Sequence, residues 1–307
     1  MPNLRPYILP IAILIGLLFH RICGALSFLA PFLIFSILLL TFTAVDLRRL
    51  RVKPLHVWLL AFQLVVSIGL YTAITLLGGN HIIAEGVLIG ILCPVASSVA
   101  VVACILGADR ETVTTYTILD NIVVAVVAPV SFTLIGDHPE LPLGENMLLI
   151  LSKIGSTLAL PFFLAALLQF LMPRAGAFLA RYNHIGFYLW AMALTLTLGQ
   201  TIDFIFLHGQ GNLSAIVWLA GLALLFCIIQ FALGRRLGHR YGDTVAGGQL
   251  LGQKNSAMGI WMANTFLTPL ASVFMAFYSV YQNLFNAWQM AHQKKTQNKP
   301  TNSPLNT

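Results

Sequence analysis

Ten apolar runs take up most of this chain and leave few folds open to it. They fall at about 8–20, 27–45, 55–77, 82–107, 112–135, 147–171, 184–202, 213–233, 244–266 and 268–291, each bounded by polar residues or by Gly and Pro. A helix crossing ~30 Å of hydrocarbon needs about 20 residues. All but the first run come close to that length or exceed it. Arg21 follows the first run and no small-residue cleavage site is evident, so it reads as a short span rather than a signal peptide. Composition agrees: of 307 residues, 58% are hydrophobic and 9% charged, against about 25% charged in soluble domains. A water-soluble enzyme, a disordered chain and a nucleic-acid-binding domain are excluded despite the net charge of +7. Cys23, Cys93, Cys104 and Cys227 lie in apolar stretches without metal-ligand spacing and read as small core residues.

Charge in the connecting segments tests the span map. Alternate segments hold Arg5; Arg48, Arg49, Arg51 and Lys53; Arg110; Arg174 and Arg181; Arg235, Arg236 and Arg240; and Lys294, Lys295 and Lys299, which is 14 of the 17 basic residues. The other side holds Arg21 and Lys153, with Glu85, Asp137, Glu140, Glu145 and Asp203. The positive-inside rule then places both termini in the cytoplasm of a multi-pass protein, expected in the cell inner membrane. Two charges remain inside spans, Asp120 in the fifth and Lys254 in the ninth.

Ten spans divide into five and five, and an odd repeat length inverts the second half relative to the first, as in secondary transporters. The fourth span contains Gly90-Ile-Leu-Cys-Pro94-Val-Ala-Ser97-Ser98, and its counterpart contains Gly247-Gly248-Gln249-Leu-Leu-Gly252-Gln253-Lys254-Asn255-Ser256. Proline removes a backbone donor, and each interior glycine weakens a helix by roughly 1 kcal/mol. Pro94, Gly248 and Gly252 are thus the expected helix breaks. Interruptions at matching places in two halves point to a midplane site. The simpler reading is a proline kink and glycines that allow close helix packing. Asp120 lies about nine residues, or ~13 Å, into its span, near the bilayer centre.

These residues carry a resemblance. Cys93-Pro94 with the small and hydroxyl residues after it, Thr114-Thr115-Tyr116-Thr117-Ile-Leu-Asp120-Asn121 closing with Ala128-Pro129, Gly252-Gln253-Lys254-Asn255-Ser256, Pro269 and Tyr281-Gln282-Asn283 together resemble the bile acid:sodium symporter family over residues 1–292. The resemblance implies an all-α polytopic fold with ten transmembrane helices as an inverted repeat. It implies a panel domain from about 8–45 and 147–202, and a core domain from about 55–135 and 213–291 in which discontinuous helices 4 and 9 cross. It further implies transport of organic anions such as bile acids, carboxylates or sulfates, usually with two sodium ions.

The sequence departs from the family where sodium is held. Aligned on Gly252 and Asn255, Leu250 stands at the family's Glu and Lys254 at its Gln, while Val99 and Ala100 stand at its fourth-helix Ser-Asn pair. Ser97 and Ser98 lie one turn away. Thr117, with Thr114 nearby, and Gln63 match ligand positions. An ammonium among the remaining oxygens repels a metal cation strongly in a low dielectric. The expectation is that Lys254 replaces a sodium ion and pairs with Asp120, since an unpaired charge at the bilayer centre costs about 2.5–3.5 kcal/mol or more. Such a pair could carry a coupling proton, could serve as a permanent lock, or could offer Lys254 to the substrate's carboxylate. Asn255, Ser256, Gln253 and Asn121 are candidate substrate or ion contacts, or caps and cross-helix hydrogen bonds. His20, His81, His184 and His208 read as interfacial, Trp190, Trp218 and Trp261 as packing or belt residues, and 293–307 as a disordered cytosolic tail. The expected partners are a small organic anion and membrane lipid, with no nucleic acid and no obligate protein partner. No cofactor is expected beyond Na⁺ or H⁺ as coupling ion.

Other readings remain. A conventional sodium-coupled symporter, a metalloid or anion efflux carrier using Cys93, and a substrate sensor on a transporter scaffold are the alternatives. An intramembrane enzyme is disfavoured: a lone Asp120 cannot form an aspartyl dyad, and the histidines of the spans lie at their ends, leaving none at membrane depth to activate a serine.

Overall fold

The computed structural model describes residues 5–96, 99–135, 143–208 and 211–297. Among them the chain is helical, and its sole extended pairing is an isolated bridge between Val95 and Lys254. In order the helices are α1 (Arg5–Leu18), α2 (His20–Ala25), α3 (Ala30–Thr43), α4 (Pro54–Leu76), α5 (His81–Leu92), α6 (Val99–Ile105), α7 (Arg110–Ile135), α8 (Leu143–Leu171), α9 (Pro173–Ala180), α10 (Gly186–His208), α11 (Leu213–Arg240), α12 (Thr244–Gly252), α13 (Ser256–Phe266) and α14 (Ser272–Gln297). This is an all-α membrane-embedded protein. Among the described residues, five segments are long and apolar enough to cross a bilayer: Pro54–Leu76, Arg110–Ile135, Met147–Leu171, Asn183–Leu207 and Leu213–Arg240. Ser27–Thr43 and His81–Leu92 are apolar but shorter. Apolar side chains on the outside agree with a lipid-facing surface: Leu76, Val65, Leu134 and Phe163 are all exposed.

Two groups of helices pack among themselves. α1, α2 and α3 lie on α10, and α3 also lies on α8. α4 lies on α5, and α11 lies on α5, α12 and α14. The groups meet through α13 on α10 and α7 on α8. Between α11 and α12 the backbones approach closely, because glycine faces glycine. A Cβ on Gly247 would lie 2.2 Å from the Gly234 carbonyl oxygen and 2.6 Å from Gly238 Cα. The hairpin joining these helices turns at Gly242, whose φ of +84° suits glycine.

Side chains finish the helix ends. Asp243 caps α12 by accepting from the Ala246 amide. Gln169 on α8 donates to the Phe42 and Val45 carbonyls at 3.0 and 2.6 Å, satisfying the open end of α3.

Several expectations shift. Gly248 is no helix break; it sits inside α12, where a Cβ would lie 2.5 Å from Arg235 Cγ, and so serves packing. Glu85, assigned by sequence to the outer connecting segments, is 1% exposed within α5 and accepts from the Thr268 amide at 3.0 Å. His20 is half-buried and bonded to Asp203 at 2.7 Å rather than simply solvated. α14 continues past Gln293 to Gln297; the remainder of the expected tail, 298–307, lies outside the described residues.

Candidate functional site

Two helices stop where two chains of backbone can repair each other. α5 ends at Leu92, and Cys93 leaves the helix at φ −50°, ψ 134°, ahead of Pro94. α12 ends at Gly252, Gln253 is extended, and the Asn255 side chain caps α13 by accepting from the Met258 amide. The two extended strips lie antiparallel. The Asn255 amide donates to the Pro94 carbonyl at 2.8 Å, and the Ala96 amide donates to the Gln253 carbonyl at 3.2 Å. Inside a bilayer each unpaired backbone group costs several kcal/mol, so the two breaks are stable together and costly apart. Side chains supply what remains: Gln282 on α14 accepts from the Lys254 amide at 2.8 Å and donates to the Lys254 carbonyl at 3.0 Å and to Ser256 Oγ at 2.8 Å. Tyr278 donates its hydroxyl to the Gly252 carbonyl at 2.8 Å, and Cys93 Sγ donates to the Asn255 carbonyl at 3.1 Å.

Lys254 and Asp120 sit at this crossing, and both are 0% exposed. Lys254 Nζ donates to the Ile91 carbonyl at 2.8 Å and to Gln63 Oε1 at 3.1 Å. Asp120 accepts from the Val95 amide at 2.6 Å and from Gln63 Nε2 at 2.9 Å. Among the described contacts the expected direct ion pair is replaced by a relay in which one neutral amide stands between the charges. Gln63 is fully used: Nε2 also donates to the Leu92 carbonyl at 3.0 Å, and Oε1 also accepts from the Tyr116 hydroxyl at 3.3 Å. A side-chain amide has two donors and two acceptor sites, so all four are filled. Reversing it would set N–H against ammonium and C=O against carboxylate. The network therefore dictates the orientation. The ammonium rests on the carbonyl end of α5, where the helix dipole favours a cation.

The remaining candidates divide. Gln253 contributes its carbonyl to the crossing, but its side chain turns to Gln249 Oε1, which begins an amide ladder reaching Asn286 and Gln289 on α14. Thr114, Thr117 and Asn121 are buried to one side of Asp120 on α7, turned from it by roughly 60° to 120° at about 100° per residue. Thr117 bonds back to the Val113 carbonyl, Asn121 Nδ2 donates to the Thr117 carbonyl at 2.7 Å, and Asn121 Oδ1 is buried with no hydrogen-bond partner among the described residues. Ser97 and Ser98 lie outside the described residues. Pro94 and Gly252 stand at the breaks. Sequence reasoning missed Tyr116, Tyr278 and the Ile91, Leu92 and Val95 backbone groups, and did not place Gln282 in the site. The polar Ser279, Gln282 and Asn286, spaced along one face of α14, were the readable hint.

A second polar cluster clamps the ends of α4, α7 and α12. Lys53 Nζ donates to Asp109 Oδ2 at 2.9 Å, Thr112 donates its hydroxyl and amide to the same oxygen, and the Asp109 amide donates to Asp243. The Thr112 hydroxyl first, and Lys53 next, hold the Asp109 carboxyl down at about 2. Among the described residues no group of three or more His, Cys, Asp or Glu side chains could hold a metal ion.

No family model matches the chain, and no curated protein matches it.

Proposed function

We propose that the chain is a secondary transporter, not an enzyme, carrying small organic anions of carboxylate or sulfate type by alternating access, with Lys254 standing where a coupling sodium ion would otherwise sit. The observation that carries this reading is the ammonium of Lys254 on the Ile91 carbonyl at the antiparallel meeting of two interrupted helices. Discontinuous helices place carbonyl-bearing ends at the membrane midplane, where they hold cations. A covalently attached cation fills that role without binding or leaving. The reading takes the chain as ten spans in a five-plus-five inverted repeat of bile acid:sodium symporter type, with both termini cytoplasmic in the cell inner membrane. α1–α3 with α8–α10 form the panel, and α4–α7 with α11–α14 form the core; the packing of α1–α3 on α10 and of α11 on α5, α12 and α14 supports that division, while α7 packs chiefly across it, on α8.

Two of the three ammonium N–H groups are committed in the described contacts, to Ile91 and Gln63. The third is uncommitted in those contacts and can meet an anionic substrate or be given up as the coupling proton. Coupling is then to protons or absent, and sodium is dispensable. Uptake of labelled carboxylates and sulfates into proteoliposomes, measured against pH and sodium for the parent and Lys254→Gln, tests this. The parent is expected to ignore sodium, and the variant to lose its pH response. An unchanged pH response in the variant eliminates Lys254 as proton carrier, and sodium-driven uptake by the parent favours the conventional symporter instead.

A further inference from the structure

We propose that the groove between α11 and α14 is a binding site for one acyl chain of an anionic phospholipid, with the phosphate on Arg235. The site is separate from the crossing and stands whether or not the chain transports.

The groove encloses about 380 Å³, within the range of small-ligand sites. Its walls are Leu224, Ile228 and Phe231 from α11 and Leu284 and Phe285 from α14, and Arg235 closes one end. Leu224, Ile228 and Leu284 are exposed, so the groove opens sideways onto the lipid-facing surface rather than inward. Its length suits one leaflet. From Leu224 to Arg235 is eleven residues, or about 16 Å at 1.5 Å per residue, against about 15 Å for half the hydrocarbon thickness. Leu224 therefore lies near the midplane and Arg235 near the headgroups.

Charge selects the occupant. Arg235, Arg236 and Arg240 cluster at this end of α11 and are exposed, and basic residues beside a membrane helix attract anionic lipid. Guanidinium binds phosphate in a bidentate manner. A zwitterionic lipid offers the same chain but brings its own cation to the arginines.

The groove also borders α12. A Cβ on Gly248 would lie 2.5 Å from Arg235 Cγ, and one on Gly252 would lie 2.4 Å from the Phe231 ring. Those two glycines belong to α12, which leads into Lys254. A bound chain and headgroup thus brace two of the side chains that α12 packs against.

Native mass spectrometry of the full chain in detergent, with phosphatidylglycerol or phosphatidylcholine of identical acyl chains and with glycerophosphate alone, is the test. The expected result is one retained phosphatidylglycerol that equimolar phosphatidylcholine does not displace, and no adduct with glycerophosphate. Arg235→Gln is expected to weaken retention about fivefold, from roughly one juxtamembrane charge. Arg174→Gln, an exposed arginine on α9, should leave it unchanged. Ala232→Trp, which plugs the groove, should abolish it in protein that matches the parent by size exclusion and melting; Ile228→Trp repeats the test should Ala232→Trp not fold. Equal retention of phosphatidylcholine, an adduct with glycerophosphate, retention that survives the plugged groove, an equal loss with Arg174→Gln, or a dimer mass that Ala232→Trp removes would each overturn the proposal.

Discussion

Replacing Gln63 with Leu removes the amide that stands between the two buried charges while keeping similar bulk. Lys254 loses one of two acceptors and Asp120 one of two donors. Hydrogen bonds to charged groups contribute about 1.5–3 kcal/mol each, so two give about 3–6 kcal/mol. Closure of the ammonium onto the carboxylate recovers part of that, and hydrogen bonds within membranes run weaker, averaging about 0.6 kcal/mol. A net loss of about 2–4 kcal/mol is expected, read by equilibrium unfolding in mixed micelles. Gln63→Glu should also destabilise, since it offers Lys254 a better acceptor but sets a second carboxylate against Asp120. Lys254→Met combined with Asp120→Leu and Gln63→Leu should recover most of the loss, because an apolar replacement of a whole buried ionic group is often neutral or better. A Gln63→Leu protein within about 0.5 kcal/mol of the parent would refute the relay as the structural centre of the crossing.

Two glycines should part company in the same unfolding measurement. Gly247→Ala meets backbone on α11 at 2.2 Å, which no rotamer change relieves, and should cost about 1–3 kcal/mol. Gly69→Ala has nothing within 4 Å and should be neutral or gain up to ~1 kcal/mol in helix propensity. Asp109, held down at about 2, stabilises the fold above the ordinary carboxylate range and loses that contribution as pH falls from near 4 towards 2. Asp109→Asn should therefore flatten the acid limb of a stability–pH curve. The effect should stay below about 1 kcal/mol, because the Lys53–Asp109 pair is roughly half exposed, at 46% and 48%.

The helices and their polar interruptions could be read in the chain because apolar length and backbone chemistry are local properties. The run at 55–77 became α4 at Pro54–Leu76, and the interrupted run at 244–266 became α12 and α13. Lys254 and Asp120 stood out because charge is rare at that depth. What remained hidden depended on partners far apart in sequence. The pairing of Cys93–Ala96 with Gln253–Asn255 exists only when both breaks meet. Gln63 was singled out as a candidate, but its position between opposite charges follows from the approach of α4 to the crossing. Gly248 looked like a helix breaker, since sequence does not distinguish a glycine that ends a helix from one that admits a neighbour. Glu85 looked solvated because it lies near the end of an apolar run, whereas its partner, the Thr268 amide, belongs to the connection after α13.

Whether Lys254 takes the place of a metal ion is tested most directly by equilibrium binding of radioactive sodium to the purified chain, parent beside Lys254→Gln. The parent is expected to bind no sodium above background, while the variant, with its fixed cation gone and the Ile91 and Gln63 oxygens released, gains a measurable site. One or two sodium ions bound per parent chain and unaffected by Lys254→Gln would contradict the proposal.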